Sequence, residues 1–134
     1  MNTIHPRLEE AANAIHAAGF TVTVPISQHR ANYQAGHIYV TRDGQPGIAL
    51  VQVPASSFEP LSLDIPVKPT LEYGSAVRAD YEDSEDFSGL IAKLEEVMRA
   101  STVKVRFVPN PRTVPVDRRI PADGVVFVPA SVKP

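Results

Sequence analysis

The amino-acid sequence predicts a single α+β domain, with two helices packed on a small antiparallel sheet around a central hairpin. Two stretches have the apolar period of an amphipathic helix, and several short stretches alternate apolar and polar residues as strands do. Thirteen prolines argue against a helical bundle, because proline is excluded from helix interiors and from central strands. A length of 134 residues suits one domain, which can bury about two-thirds of its unfolded surface.

The first helix is predicted to begin at His5-Pro6, because the missing N–H of proline would have no partner in a first turn. Gly19 can take the left-handed conformation that ends helices. The helical stripe consists of Leu8, Ala11, Ala12, Ile15 and Ala18. Because this stripe is rich in alanine, we expect the helix to lie close against a sheet.

A hairpin over residues 37–53 is the strongest strand prediction. Its two strand-like stretches are joined by Asp43-Gly44-Gln45-Pro46-Gly47, in which Gly44 and Gly47 can supply positive φ. The alternating stretch 20–24 predicts a strand before the hairpin. Residues 27–36 lack periodicity and predict a loop.

Three shorter strands are predicted further along the chain. The stretch 61–65 alternates, and Pro66 predicts that this strand lies at a sheet edge. Residues 75–81 and 103–108 are the other two candidates.

The second helix is predicted over residues 84–100, capped by Asp83 or Ser84, with Glu85 and Asp86 in its first turn. Its stripe consists of Phe87, Leu90, Ile91, Leu94, Val97 and Met98. The predicted helical contribution to the core is Leu8, Ile15, Phe87, Leu90, Ile91 and Leu94.

Residues 1–108 are predicted to form the domain, and residues 109–134 an extended, proline-rich tail. Six of the thirteen prolines lie in this tail. The tail could wrap over the domain, add a strand to a neighbouring subunit, or stay mobile.

The composition excludes several classes of protein. With no cysteine, the chain has no disulfide framework, thiolate zinc site, iron–sulfur cluster or cysteine nucleophile. No apolar run approaches the roughly 18 residues that cross a bilayer, and residues 1–15 lack the pattern of a signal peptide. We therefore expect a cytoplasmic protein with no membrane partner.

Charge is segregated along the chain, although the net charge is only −2. Residues 56–100 carry four basic and ten acidic groups, whereas residues 101–134 carry six basic and two acidic groups. The balanced total does not favour nucleic acid as a partner. The segregation has a simple explanation if the charged segments are solvated or pack against each other. The functional alternative is an acidic docking surface beside a basic tail. The candidate interaction residues are Asp80, Glu82, Asp83, Glu85, Asp86, Arg106, Arg112, Arg118 and Arg119.

No motif predicts a cofactor, a metal site or catalysis. The acidic cluster at 80–86 lacks an EF-hand pattern, and helix capping accounts for most of its acids. There is no nucleophile elbow or phosphate-binding glycine loop. His29, Arg30 and His37 could form a small polar binding spot, and surface or half-buried side chains are the simpler interpretation.

Part of the chain resembles small accessory proteins encoded by actinobacterial phages. The segments that carry the resemblance are the run Tyr73–Tyr81, the acidic cap, the helix to Met98 and the stretch Val103–Pro109. The resemblance contains no catalytic motif. It implies a phage product made in the host cytoplasm that binds a host or phage component.

Three functional hypotheses follow. The first is a non-enzymatic interaction protein that binds a host or phage macromolecule. The second is a structural or assembly component that forms a homo-oligomer through its tail. The third is a small hydrolase or nuclease whose site, assembled in space, would use His29, His37 and nearby acids.

Overall fold

The computed structural model describes residues 3–25, 32–45, 47–56, 58–66, 76–100 and 113–115. In these ranges the chain forms two helices and eight strands. The helices are α1 (Pro6–Ala17) and α2 (Ser88–Ala100). The strands are β1 (Thr3–Ile4), β2 (Thr21–Pro25), β3 (Gln34–Ala35), β4 (His37–Thr41), β5 (Ile48–Gln52), β6 (Ser62–Pro66), β7 (Ala76–Ala79) and β8 (Thr113–Pro115).

The main sheet has the strand order β7-β6-β5-β4-β2-β8, and all of its neighbouring strands are antiparallel. From β2 to β7, its strands lie side by side in the order in which they occur along the chain. β1 and β3 form a separate parallel pair. The predicted α+β fold is therefore confirmed.

Helix α1 begins and ends where the sequence predicts. The Nδ1 atom of His5 accepts a hydrogen bond from the Arg7 backbone N–H at 3.3 Å, which satisfies one of the unpaired donors of the first turn. Gly19 has φ = 96°, the left-handed conformation expected after a helix. Ala11 and Ala12 are fully buried, so the helix lies close to the sheet as expected.

The predicted hairpin is formed by β4 and β5, whose register runs from His37↔Gln52 to Thr41↔Ile48. Gly44 supplies the positive φ of the turn, at 80°. The turn is closed by a hydrogen bond from Gln45 N–H to the Arg42 carbonyl. The local turn chemistry thus sets the register.

The core lies between one face of the sheet and both helices. Strand residues of this face belong to one buried cluster with Leu8 and Ile15 of α1 and Leu90 and Leu94 of α2. The strand members of this cluster include Val22, Ile38, Val40, Val51 and Leu63. No described helix packs on the opposite face, where one row of register partners consists of Thr23, Tyr39, Leu50, Asp64 and Arg78.

Helix α2 is shorter than predicted, because it begins at Ser88 rather than at residue 84. Phe87 has φ = 61°, a left-handed conformation that a right-handed helix cannot contain. Leu90 and Leu94 are buried as predicted, whereas Phe87 and Ile91 are only partly buried against the core.

Two strand predictions need correction. Residues 34–35, predicted as loop, form β3 and pair with β1. β6, predicted at an edge, lies between β5 and β7. Pro66 is tolerated there because the pairing of β6 with β5 ends at Asp64, before the proline.

The described part of the predicted tail is β8, which pairs with β2 of the same chain at the edge opposite β7. The predicted strand 103–108 lies outside the described residues.

Candidate functional site: the cleft beside strand β7

A cleft of about 210 Å³ lies between residues 59–63 and residues 78–81. It opens where the loop before β6 meets the end of β7. A smaller hollow of about 110 Å³ shares Pro60, Leu61 and Tyr81 with it and extends to α1 and Phe87. The two hollows share these three residues and together form a candidate binding site.

Two hydrogen bonds fix the loop that forms one wall of the cleft. The Nη2 atom of Arg7, on α1, donates to the Glu59 carbonyl at 2.6 Å. The Tyr81 hydroxyl donates to the Leu61 carbonyl at 2.6 Å. Burial and the charge of Asp83 raise the pKa of the Tyr81 phenol, against an opposing effect of Arg7. Because its pKa is raised from 10, the hydroxyl keeps the proton that it donates at neutral pH.

Residues 80–86, here called the acidic lip, follow β7 and border both hollows. Asp80 lines the cleft and Asp83 lines the smaller hollow. The five predicted acidic residues of this segment are all exposed: Asp80, Glu82, Asp83, Glu85 and Asp86. The structure therefore places these five carboxylates on one exposed segment beside a concave surface.

Helix capping accounts for one of these five acids rather than for most of them. The Asp86 carboxylate accepts a hydrogen bond from the Ser88 N–H at 3.1 Å, and the bonds from Ser88 hold the pKa of Asp86 below its ordinary value. Ser84, a predicted cap, accepts with its hydroxyl from the Gly89 N–H at 3.1 Å. The first turn of α2 contains no acidic residue, because the helix begins after the lip.

The acidic lip is held against α2 by a close backbone approach. A Cβ atom at Gly89 would lie 1.7 Å from the carbonyl oxygen of Glu82, a distance that no side chain tolerates. Phe87, in its left-handed conformation, turns the chain from the lip into the helix. Strained backbone of this kind persists only where the surrounding structure enforces it. The lip is therefore packed against the start of α2 at Glu82.

Among the described strands, β7 lies at the edge of the sheet, and three of its four residues are exposed. Val77 of this strand is 57% exposed. The Arg78 guanidinium lies 3.9 Å from the Asp64 carboxylate, which also accepts a hydrogen bond from Gln52 at 2.7 Å. Phe58, next to Glu59 of the cleft wall, is 96% exposed.

The structure separates His37 from the acidic residues. His37 lies on β4, and β5 and β6 stand between β4 and β7. Its ring contacts that of Tyr39 edge-on, with centroids 5.3 Å apart, and burial lowers its pKa. Among the described residues, no group of three histidine or acidic side chains could hold a metal ion. The other predicted site residues lie outside the described ranges: His29, Arg30, Arg106, Arg112, Arg118 and Arg119.

Sequence reasoning missed the residues that build the cleft. Tyr81 reaches Leu61 across 20 positions of sequence, and Arg7 reaches Glu59 across 52. No local pattern links such pairs. The signal that was available is the row of acids after residue 79, which the sequence analysis did find.

Comparisons of the chain with protein-family models, with curated proteins and with solved structures found no match. Neither described helix has the length and apolar character that crossing a membrane requires. The geometry of the β7 region is therefore the basis for a functional proposal.

Proposed function

We propose that this protein is a non-enzymatic interaction protein that binds an extended, basic segment of a partner protein. The proposed binding site is the β7 surface, which consists of strand β7, the cleft and the acidic lip. The observation that carries the proposal is the exposed sheet edge at β7, directly beside a cleft with an acidic border.

An exposed edge strand offers unpaired backbone donors and acceptors to an extended chain. β7 leaves Val77 exposed at this edge, and the cleft begins at the end of the same strand. A partner chain that follows β7 can therefore bury apolar side chains and gain backbone hydrogen bonds in the same place. Phe58 offers a further apolar contact at the cleft wall.

The charge of the surface favours a basic partner. The acidic lip and Glu59 border the cleft, whereas Arg78 is already close to Asp64 and Arg7 donates to the Glu59 carbonyl. Complementary charge speeds association and rejects acidic competitors more than it adds raw affinity. We therefore expect a partner with several lysine or arginine residues.

The resemblance of residues 73–109 to accessory proteins of actinobacterial phages supports a host or phage protein as this partner, met in the host cytoplasm. That origin belongs to the proposal and rests on the resemblance alone.

The two other functional hypotheses have less support. β8 pairs within its own chain, and exchange of the tail between subunits stays a prediction. For a hydrolase or nuclease, His37 would need a carboxylate partner, and the described residues place none in contact with it.

The test uses a fluorescent heptapeptide in which lysine and valine alternate, titrated into the full chain at low ionic strength. We expect saturable binding that weakens as salt is added, because exposed charges are screened. The double variant Asp80→Asn/Asp83→Asn should weaken binding about tenfold, equivalent to about 1.4 kcal/mol.

The matched control is Glu9→Gln/Asp43→Asn, which removes two exposed carboxylates from α1 and from the hairpin turn. This control changes the net charge by the same amount as Asp80→Asn/Asp83→Asn. Its affinity for the peptide should stay within about twofold of that of the unmodified protein. Equal weakening by both double variants would show that only net charge matters. That result, or no binding at all by the unmodified protein, would overturn the proposal.

A further inference from the structure

We propose that the partner segment joins the sheet as a seventh strand on β7, hydrogen-bonded to the backbone N–H and C=O groups of Ala76 and Arg78. This inference rests on the proposed function and specifies its binding mode. It follows from the hydrogen-bond pattern of the sheet, traced strand by strand to its edge.

The pattern starts at the hairpin. The Val53 N–H donates to the Gly36 carbonyl at 2.9 Å, one step beyond the His37↔Gln52 pair of the β4–β5 register. Hydrogen-bonded and non-hydrogen-bonded pairs alternate along an antiparallel ladder. Gly36↔Val53 is a bonded pair, so Ile38↔Val51 is the next bonded pair along the hairpin.

The N–H and C=O groups of one strand residue point to the same side, and those of the next residue point to the other side. Since the backbone N–H and C=O groups of Val51 point to β4, those of its neighbours Leu50 and Gln52 point to β6. The register places Leu50 opposite Asp64 and Gln52 opposite Ser62, so these two residues of β6 face β5.

The remaining residues of β6 then determine the outer edge. Leu63 and Ile65 face β7, where their register partners are Ala79 and Val77. The backbone groups of these two β7 residues are therefore used by β6. Those of Ala76 and Arg78 point away from the sheet, where a further strand would bond.

Two of the three prolines in the strands of the sheet, Pro66 and Pro115, agree with this assignment. Pro66 falls at a position whose N–H would point towards β5, beyond the last β5–β6 pair, so no ladder bond is lost. The same alternation can be followed to the opposite edge, where β8 pairs with β2. There Val24↔Val114 is a hydrogen-bonded pair, and Thr23↔Pro115 is a non-hydrogen-bonded pair. Both prolines lie where no donor is required.

The same alternation sets the side-chain pattern that the partner should have. Its residues opposite Val77 and Ala79 lie on the apolar, helix-covered face of the sheet, beside Ile65 and Leu63. Its residues opposite Arg78 and Asp80 lie on the other face. A basic side chain suits the position opposite Asp80, whereas a like charge opposite Arg78 is unfavourable. The partner is thus an alternating apolar and polar segment.

The experiment compares Arg78→Pro with Arg78→Ala, using the lysine–valine heptapeptide on the full chain. Both variants lose the guanidinium, but only the proline loses the outward N–H. Arg78→Ala keeps the outward N–H and is therefore the reference for the effect of Arg78→Pro. Arg78→Pro should bind at least about tenfold more weakly than Arg78→Ala.

A measurement on the unmodified protein keeps the test independent of how the proline variant folds. Amide hydrogen exchange of the free protein should be fast at Ala76 and Arg78 and slow at Val77 and Ala79. Saturation with the heptapeptide should slow exchange at Ala76 and Arg78. Slow exchange of those two amides in the free protein, or no change on binding, would overturn the inference.

Failure of the binding mode differs from failure of the function. If the heptapeptide binds, depends on Asp80 and Asp83, and binds both Arg78 variants equally, the β7 surface is a docking site without strand addition. If it does not bind the unmodified protein, the proposed function itself is wrong.

Discussion

The centre of the sheet and its β7 edge use the same antiparallel pairing but are covered very differently. Ile38 and Val51, partners on β4 and β5, are completely buried beneath the helices. Val77, paired with Ile65 on the same face, is 57% exposed. Strands of one sheet thus differ because the two helices cover only part of its face. Pairing alone does not bury a strand, and the uncovered edge strand is the one to which the proposed partner would add.

The largest expected effect comes from Gly89→Ala, which tests whether the acidic lip is fixed to the covered part of the molecule. The new Cβ would meet the Glu82 carbonyl at 1.7 Å, so the backbone of the lip or of α2 must move. We expect the free energy of unfolding to fall by about 3 kcal/mol or more. Urea denaturation measures it.

Gly36→Ala is the matched control, because nothing lies within 4 Å of a Cβ atom at that position. Its free energy of unfolding should stay within about 1 kcal/mol of the unmodified value. If the two alanine variants were equally stable, the lip would not be held by close packing against α2.

The next prediction compares the loss of stability when valine is replaced by alanine at two positions on the same face of the sheet. Val51→Ala leaves a cavity beneath the helices and should cost about 2 kcal/mol or more. Val77→Ala removes a side chain that is mostly in water and should change stability by less than about 0.5 kcal/mol. Denaturant unfolding of both variants gives the difference, and similar costs would mean that β7 is covered in solution.

The smallest expected effect is a pH dependence at the centre of the sheet. Burial lowers the pKa of His37 below its ordinary 6.5, so the unfolded chain takes up this proton at a higher pH than the folded protein. The stabilising effect of a neutral His37 is therefore complete above pH 6.5 and is lost as the pH falls from there through the folded-state pKa.

The variant His37→Gln should flatten this part of the profile of unfolding free energy against pH. An NMR titration of the His37 ring provides the second measurement, with a midpoint below 6.5 expected. An unchanged slope in the variant, or a ring that titrates above 6.5, would contradict the assignment.

Elements with strong local signals could be predicted from sequence. Pro6 and Gly19 bound α1, and Gly44 closes the hairpin, since each of these residues restricts or relaxes its own backbone. Elements defined by distant partners could not be predicted in the same way. β3 is two residues long and exists by pairing with β1, a contact between residues about thirty positions apart in sequence.

The candidate site was predicted only in part. The acidic residues after β7 are visible as a sequence run, but their position beside a cleft depends on Arg7, Leu61 and Tyr81. The start of α2 was placed too early, because Phe87 has a left-handed conformation for which phenylalanine has no local preference.

The sequence by itself determined the two helices apart from the start of α2, the strands β2, β4, β5, β6 and β7, the turn at Gly44 and the concentration of acid at 80–86. Hydrophobic periodicity, backbone freedom and charge are properties of short stretches, so they can be read from the sequence without the fold. Only the tertiary structure decided that β6 is internal, that β7 is the exposed edge and that the acidic lip borders a cleft. Strand order and the position of a cleft depend on which segments, distant in sequence, pack against each other. A local sequence pattern does not contain this information.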